Sequence, residues 1–354
     1  MTITTQAPAR VDLAGGTLDI WPLYLFHENS QTINFAIQCY ARCWLRPRRD
    51  KAIELISLDL GQREMFASLK ALREGRKWKL PLLARLVMAF TDAGRDRPPG
   101  LSSKGQARMP ALLQGFTLET DSDVPAGSGL GGSSALNIAI CGALAKFTGK
   151  SIPPQKLIEL ARNVEAQVLG VPTGEQDYYS AMFGGVQSIH LKPEGITPEK
   201  LAIRAAEIHS RLVLCYTGES RNSGINNWEV QKAHLDGDRA VIRHFDRIAA
   251  IATEMRESIV AHDWRCVGRL LNQEWDARKK NHPGITTPTI ERLIALARRH
   301  GALAAKACGA GGGGCLIFLV EPEAQSAVEA ALRRGGARIL SARLATRGLN
   351  VRQD

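Results

Sequence analysis

The stretch DSDVPAGSGLGGSSALNIAI, residues 121–140, decides the reading of this chain. Four glycines and three serines fall within Gly127–Ser134, directly ahead of a segment with helical spacing. Glycine runs cost backbone entropy on folding, so they mark places where the chain takes unusual angles or comes close to something. Several backbone N–H groups of such a loop can converge on one point. The helix behind it adds its unpaired N–H groups and the positive end of its dipole. Together they suit an anion, phosphate above all. A lone loop of this kind serves equally as a linker or a helix start. No Gly-Lys-Ser/Thr follows, which excludes a Walker loop. No strand–helix–strand unit with a placed acid follows either, which argues against a dinucleotide fingerprint.

Downstream of the loop, a helix over about 134–147 carries Leu136, Ile140, Ala143, Leu144 and Phe147 on one stripe and stops at Gly149. A second helix spans roughly 154–169. Glu165 sits at the edge of its stripe, where a lone glutamate is ordinarily a solvated rim residue. After GVPTG, the short helix EQDYYSAMF (175–183) puts Asp177 in its first turn, where acids are favoured in any case. VQSIHL (186–191) reads as a strand.

Upstream, TINFAIQCYARCWLRP (32–47) and KAIELISL (51–58) read as strands joined by the basic turn RPRRDK (46–51). PLLARLVMAFTDAG (81–94) reads as a helix and DRPPGLSSKGQARMP (96–110) as a loop. ALLQGFTLETDSDVP (111–125) is a strand running into the glycine loop. Near residue 200 the pattern changes, and a boundary in 195–210 divides the chain into 1–200 and 201–354. Beyond it come a strand (210–218), helices through 226–280 and 287–301, and a strand–glycine loop–strand unit, ALAAKACGAGGGGCLIFLV (302–320). A helix over about 322–333 and a last strand over about 337–345 close the chain. Asp12, in an alternating strand, is expected to face solvent, and the isolated His282 before Pro283 is expected to be structural.

With 354 residues the chain is long for one hydrophobic core and suits two domains. Its 44% apolar and 23% charged residues are a globular composition. No uninterrupted apolar window of about eighteen residues points to a membrane span. The N-terminus lacks the pattern of a signal peptide. Seven cysteines, odd in number and without a CxxC pair, are expected to be reduced thiols of a cytoplasmic protein. The net charge of +11 is compatible with nucleic acid or with anionic small substrates. Aromatics are only 6% and none interleave with the basic run, so nucleic acid is the least favoured partner.

Three separate stretches resemble the GHMP kinases, the superfamily of galactokinase, homoserine kinase, mevalonate kinase and phosphomevalonate kinase. APARVDLAGGTLD (7–19) resembles the first family motif, VPAGSGLGGSSAL (124–136) the second with one extra glycine, and KACGAGGGGCLIFL (306–319) the third. VEAQVLGVPTGEQDYYSAMFGG (164–185) is similar to the segment that holds the family's magnesium-binding glutamate and catalytic aspartate, in a form closest to the heptose-phosphate kinase branch. The resemblance implies an α+β, two-domain GHMP kinase fold. Its N-terminal domain holds a left-handed βαβ unit, and its C-terminal domain is a ferredoxin-like α/β sandwich. It implies an ATP- and Mg²⁺-dependent kinase acting on a hydroxyl of a sugar or sugar phosphate, as a monomer or homodimer.

Residue by residue, the resemblance assigns Pro125, Ala126, Gly127, Ser128, Gly129, Leu130, Gly131, Gly132, Ser133 and Ser134 to the ATP phosphates. Ser134 and Glu165 would hold Mg²⁺. Asp177 would activate the substrate hydroxyl, with Arg10 beside it. Asp19 would bind a substrate hydroxyl, with Arg221, Ser223, Asn226, Asn227 and Gly311 on the substrate side. An ordinary helix start capped by Ser223 or Asn226 accounts for that last stretch equally well. The first motif has Arg10 where mevalonate kinases carry a lysine, which leans toward the sugar branch. Only Asp19 matches the galactokinase sugar stretch. The alternatives are a mevalonate or phosphomevalonate kinase-like enzyme and a non-catalytic ATP/sugar-binding sensor.

Overall fold

The computed structural model describes residues 2–91, 114–220 and 223–354, so the expected loop at 96–110 and the first residues of the segment after it lie outside the described residues. The first half runs β1 (Ile3–Ala14), β2 (Gln31–Pro47), β3 (Ile53–Ser57), β4 (Gln62–Phe66), α1 (Leu69–Glu74), α2 (Pro81–Thr91), β5 (Phe116–Ser122), α3 (Gly132–Phe147), α4 (Pro154–Leu169), α5 (Gln176–Phe183), β6 (Val186–Lys192) and β7 (Gly195–Leu201). The second half runs α6 (Ala205–Arg211), β8 (Leu212–Tyr216), α7 (Ser223–Leu235), α8 (Arg239–Val260), α9 (Trp264–Lys279), α10 (Pro288–Arg299), β9 (Ala302–Ala307), β10 (Cys315–Val320), α11 (Gln325–Arg334), β11 (Arg338–Leu340) and β12 (Asn350–Gln353). No helix among the described residues is long and apolar enough to cross a membrane.

Two sheets organise these elements. The first has the order β12-β1-β2-β5-β3-β4, with β6 also on β2 and β7 on β6. The long β2 lies antiparallel to β1 on one side. On its other side it pairs with β5 through Ala41–Pro47 and with β6 through Gln31–Phe35. The second sheet, β11-β8-β10-β9, is antiparallel throughout, and the third glycine motif forms the turn between β9 and β10.

The close of the chain differs from the sequence expectation. The last predicted strand shrinks to the three residues of β11, and a further strand, β12, returns to pair with β1. NVRQ is short, polar and mostly exposed at a sheet edge, so it carries no apolar alternation to reveal it. Helix α3 differs too. A single apolar stripe was expected, yet residues 137–145 are buried on every side, because α3 lies between the β1–β2 face and helices α2, α4 and α5. Small residues such as Ala135, Ala139 and Gly142 permit that close approach.

One apolar cluster fills the first half around Leu45, Leu118, Ile138 and Leu144. A second is shared by the halves: Val11, Ile33 and Phe35 of the first sheet pack with Leu214, Ile251, Leu270 and Ile317. A third fills the second half and takes in Leu18 and Ile20 from the first. Burial of this kind is the main favourable term in folding, and here it fixes the first motif against the third. None of the seven cysteines forms a disulfide, and all but Cys266 are buried.

Candidate active site

The three motifs meet at one cavity of about 430 Å³. Its wall includes Arg10, Thr17 and Asp19 from the first motif, the loop ahead of α3, Glu165 on α4, Asp177 on α5, and Gly309 and Ala310 from the β9–β10 turn. Apolar side chains of Leu60, Leu80, Leu83, Leu136, Val168, Leu169 and Val171 line the remainder, with Lys79 and Asp59 as polar neighbours.

The first glycine loop needs its glycines for stated reasons. Gly127, Gly129 and Gly131 have φ of 69°, 79° and 69°, a region closed to most side chains. Gly131 caps α3, and a Cβ there would stand 2.9 Å from the Asp177 carboxyl carbon. From behind, the β9–β10 turn supports this loop. The Cys315 N–H donates to the Ser128 carbonyl at 2.7 Å, and a Cβ on Gly314 would stand 2.5 Å from that same oxygen.

Glu165 is not a rim residue; it is 4% exposed. Ser134 Oγ, Tyr178 OH and Asn137 Nδ2 donate to its Oε2 at 3.0, 2.6 and 3.3 Å. Burial pushes its pKa up, and these donors oppose that shift. Asp177 accepts from Arg10 Nε at 2.7 Å, with Arg10 Nη2 at 2.5 Å from the same oxygen. Arg10 Nη1 donates to the Gly129 carbonyl at 2.6 Å, and the Arg10 N–H to the Leu130 carbonyl at 2.9 Å. The arginine therefore ties the glycine loop to Asp177. Burial alone would lower the Arg10 pKa, but Asp177 and Asp12 hold it well above the ordinary arginine range.

Asp19 is buried, accepts the Gln176 N–H at 2.9 Å, and would be crowded by any side chain at Gly174. Burial pushes its pKa up to about 7. Asn227 lines the cavity, and its Oδ1 accepts from Thr17 at 3.2 Å. Arg221 lies outside the described residues, as do the side chains of Ser223 and Asn226.

The Leu130 side chain lies in the shared core, and its carbonyl accepts the Arg10 N–H. Two expectations are corrected. Gly311 and Asp12 depart from expectation, as follows. Gly311 is off the cavity wall, packed where a Cβ would meet the Ile285 carbonyl at 2.2 Å; Gly309 and Ala310 face the cavity instead. Asp12 does not face solvent. It is wholly buried, 2.8 Å from Lys306 Nζ, and it accepts the Gly309 N–H at 2.8 Å. Its cations outweigh burial and hold its pKa well below the carboxylate range. Sequence reasoning missed Lys306, Glu274, Arg278 and Tyr178. The Glu274–Arg278 spacing of four was visible on α9. Their burial was not, because Lys and Glu are almost never fully buried unless paired across the fold. His282 accepts the Gly284 N–H and caps a turn, a structural role as expected.

Glycine backbone along one wall and an ion-paired carboxylate facing the same space are the parts of a site for phosphoryl transfer to a hydroxyl. Comparison with known proteins agrees. The GHMP kinases N terminal domain matches residues 101–185 and the GHMP kinases C terminal domain matches 255–338. The D-glycero-alpha-D-manno-heptose 7-phosphate kinase of Campylobacter jejuni is 30% identical over 337 residues, covering 94% of each chain. The mevalonate kinase of Thermococcus sibiricus is 28% identical, covering 67% of this chain and 69% of that protein. Among solved structures, a D-glycero-D-manno-heptose 1-phosphate kinase from Bacteroides thetaiotaomicron superposes with a TM-score of 0.78 at 23% identity over 99% of both chains. The chain belongs to the GHMP kinases, and with them it is a kinase that takes ATP as phosphate donor.

Proposed function

We propose that this kinase phosphorylates a hydroxyl of a sugar or sugar phosphate of the heptose-phosphate type, with residues 1–200 carrying the nucleotide and 201–354 completing the acceptor side. The observation that carries the reading is the Arg10–Asp177 pair held against the glycine loop on the wall of one cavity. Phosphoryl transfer is mostly positioning and charge neutralisation. An alcohol is a poor nucleophile, so a carboxylate that accepts its proton helps the bond form. Asp177 takes that role. Arg10 orients it and steadies charge on the transferred group.

The apolar stretch around Leu80, Leu83, Leu136 and Val168 suits a purine ring, and the N–H groups of Gly127–Ser134 suit its phosphates. Ser134 and Glu165 form an all-oxygen pair on the cavity wall, which fits a hard divalent cation such as Mg²⁺ that keeps phosphate and water as its other ligands. When bound, the cation neutralises phosphate charge. Asp19 and Asn227 are placed to meet acceptor hydroxyls.

The match to the heptose-phosphate kinase spans nearly the whole of both chains, while the mevalonate kinase match spans about two thirds. This favours the sugar reading over the mevalonate one. The test is ATP consumption across aldoses, sugar phosphates and mevalonate derivatives, with Asp177→Asn as control. Turnover is expected on a sugar or sugar phosphate. Turnover on mevalonate alone, or equal rates in the control, would reject it.

A further inference from the structure

Behind the Arg10–Asp177 pair lies a chain of buried charges that joins the two halves of the molecule. Lys306, on β9 just ahead of the glycine turn, is wholly buried between Asp12 Oδ2 at 2.8 Å and Glu274 Oε2 at 3.0 Å. Glu274 Oε1 in turn accepts from Arg278 Nε and Nη2 at 2.9 and 2.6 Å. Arg278 also donates to the Gly16 and Gly309 carbonyls at 2.8 and 3.2 Å, so its donors are committed. Three cations and three anions alternate: Asp177, Arg10, Asp12, Lys306, Glu274, Arg278.

The unequal distances carry the inference. Arg10 stands 2.7 Å from Asp177 and 3.5 Å from Asp12, although both are carboxylates. Asp12 is instead held by Lys306 and the Gly309 N–H. We propose that Lys306 is a positioning residue for phosphoryl transfer: it occupies Asp12 and so leaves Arg10 to Asp177. Without Lys306, the buried Asp12 carboxylate would keep the Gly309 N–H, the more distant charge of Arg278 and its long contact to Arg10, and it would draw Arg10 inward. Arg10 would then leave Asp177 and the Gly129 carbonyl. A buried carboxylate that loses its close counter-ion is strongly disfavoured, which supplies the force for that movement. The inference rests on the reading of Arg10 and Asp177 as the catalytic pair.

Adding a second substitution to a Lys306 variant is expected to restore activity. Lys306→Met is expected to lower kcat about 10²-fold, the scale of a displaced catalytic group, with KM for ATP changed by no more than about threefold. Lys306→Met combined with Asp12→Asn removes one charge of each sign and ends the competition for Arg10. The amide oxygen that Asp12→Asn introduces still accepts the Gly309 N–H. The double variant's kcat is expected at least about tenfold above the single variant, a coupling that independent sites do not show. If Lys306→Met does not yield folded protein, the double variant is compared with Asp12→Asn alone, and their kcat values are expected within about threefold. A double variant no better than Lys306→Met, or more than about tenfold below Asp12→Asn, would overturn the proposal. Arg10→Ala is the separating control. If it keeps wild-type turnover, the reading of the site fails. If it loses turnover while the Lys306 variants behave contrary to expectation, only the present inference fails.

Discussion

The two glycine loops look alike in sequence and are used differently. In the loop at 127–132, left-handed backbone follows the cavity wall, with Asp177 close beneath Gly131. In the turn at 309–314, the room left by missing side chains goes to the protein's own chain: Gly314 to the Ser128 carbonyl, Gly311 to the Ile285 carbonyl. The first loop lines the cavity, and the second, apart from Gly309 and Ala310 on the cavity wall, packs against the first and against Ile285. A glycine run therefore announces a close approach without saying what approaches.

Substitutions can break or sharpen that contrast. Asp177→Asn keeps the shape beneath the first loop and removes the carboxylate proposed to act as base. We expect kcat to fall about 10²–10⁴-fold, with ATP affinity retained in a direct binding measurement; near-normal turnover would remove Asp177 from the chemistry. Gly131→Ala tests the ligand side. Its Cβ must displace Asp177, so turnover should fall about 10²-fold in steady-state kinetics, well beyond any loss of stability. An unchanged kcat would mean that the loop and Asp177 are not spatially matched.

Gly314→Ala tests the supporting side. Backbone at φ 77° and a carbonyl at 2.5 Å leave no place for a methyl group, so about 1–3 kcal/mol of stability should be lost in denaturant unfolding. Weaker ATP binding should accompany it, with acceptor KM little changed. If Gly314→Ala instead matched Gly131→Ala in kcat at normal stability, the two loops would share one role.

The smallest effect on turnover is expected at Asp19. Burial raises its pKa to about 7, so between the ordinary carboxylate value and about 7 the folded protein holds a proton that the unfolded chain releases. Stability therefore falls as pH rises through that window. Over the same range Asp19 becomes an ionised acceptor for a hydroxyl, and acceptor KM should drop as pH passes about 7. Asp19→Asn should flatten both profiles, and a KM profile unchanged by that substitution would detach Asp19 from the acceptor.

Much of the site was legible because its parts are local. Arg10, Asp19, the loop at 125–134, Glu165 and Asp177 each sit in a short motif, and the structure brings all of them but Leu130 to one cavity. Leu130 and Gly311 carried the same motif signature, yet one faces the core and the other the turn at Ile285. Position within a motif does not fix which way a residue faces.

The sequence by itself determined where glycine had to be and where helices begin and end, since each follows from backbone angles and residue spacing over a few positions; Glu165 and Asp177 were singled out by resemblance to the family's motifs. The tertiary structure alone decided that Asp12, Lys306, Glu274 and Arg278 form a buried chain, and that the last strand returns to the first. The partners in that chain are separated by as many as 294 positions, and a buried charge is tolerable only once the fold has supplied its counter-ion.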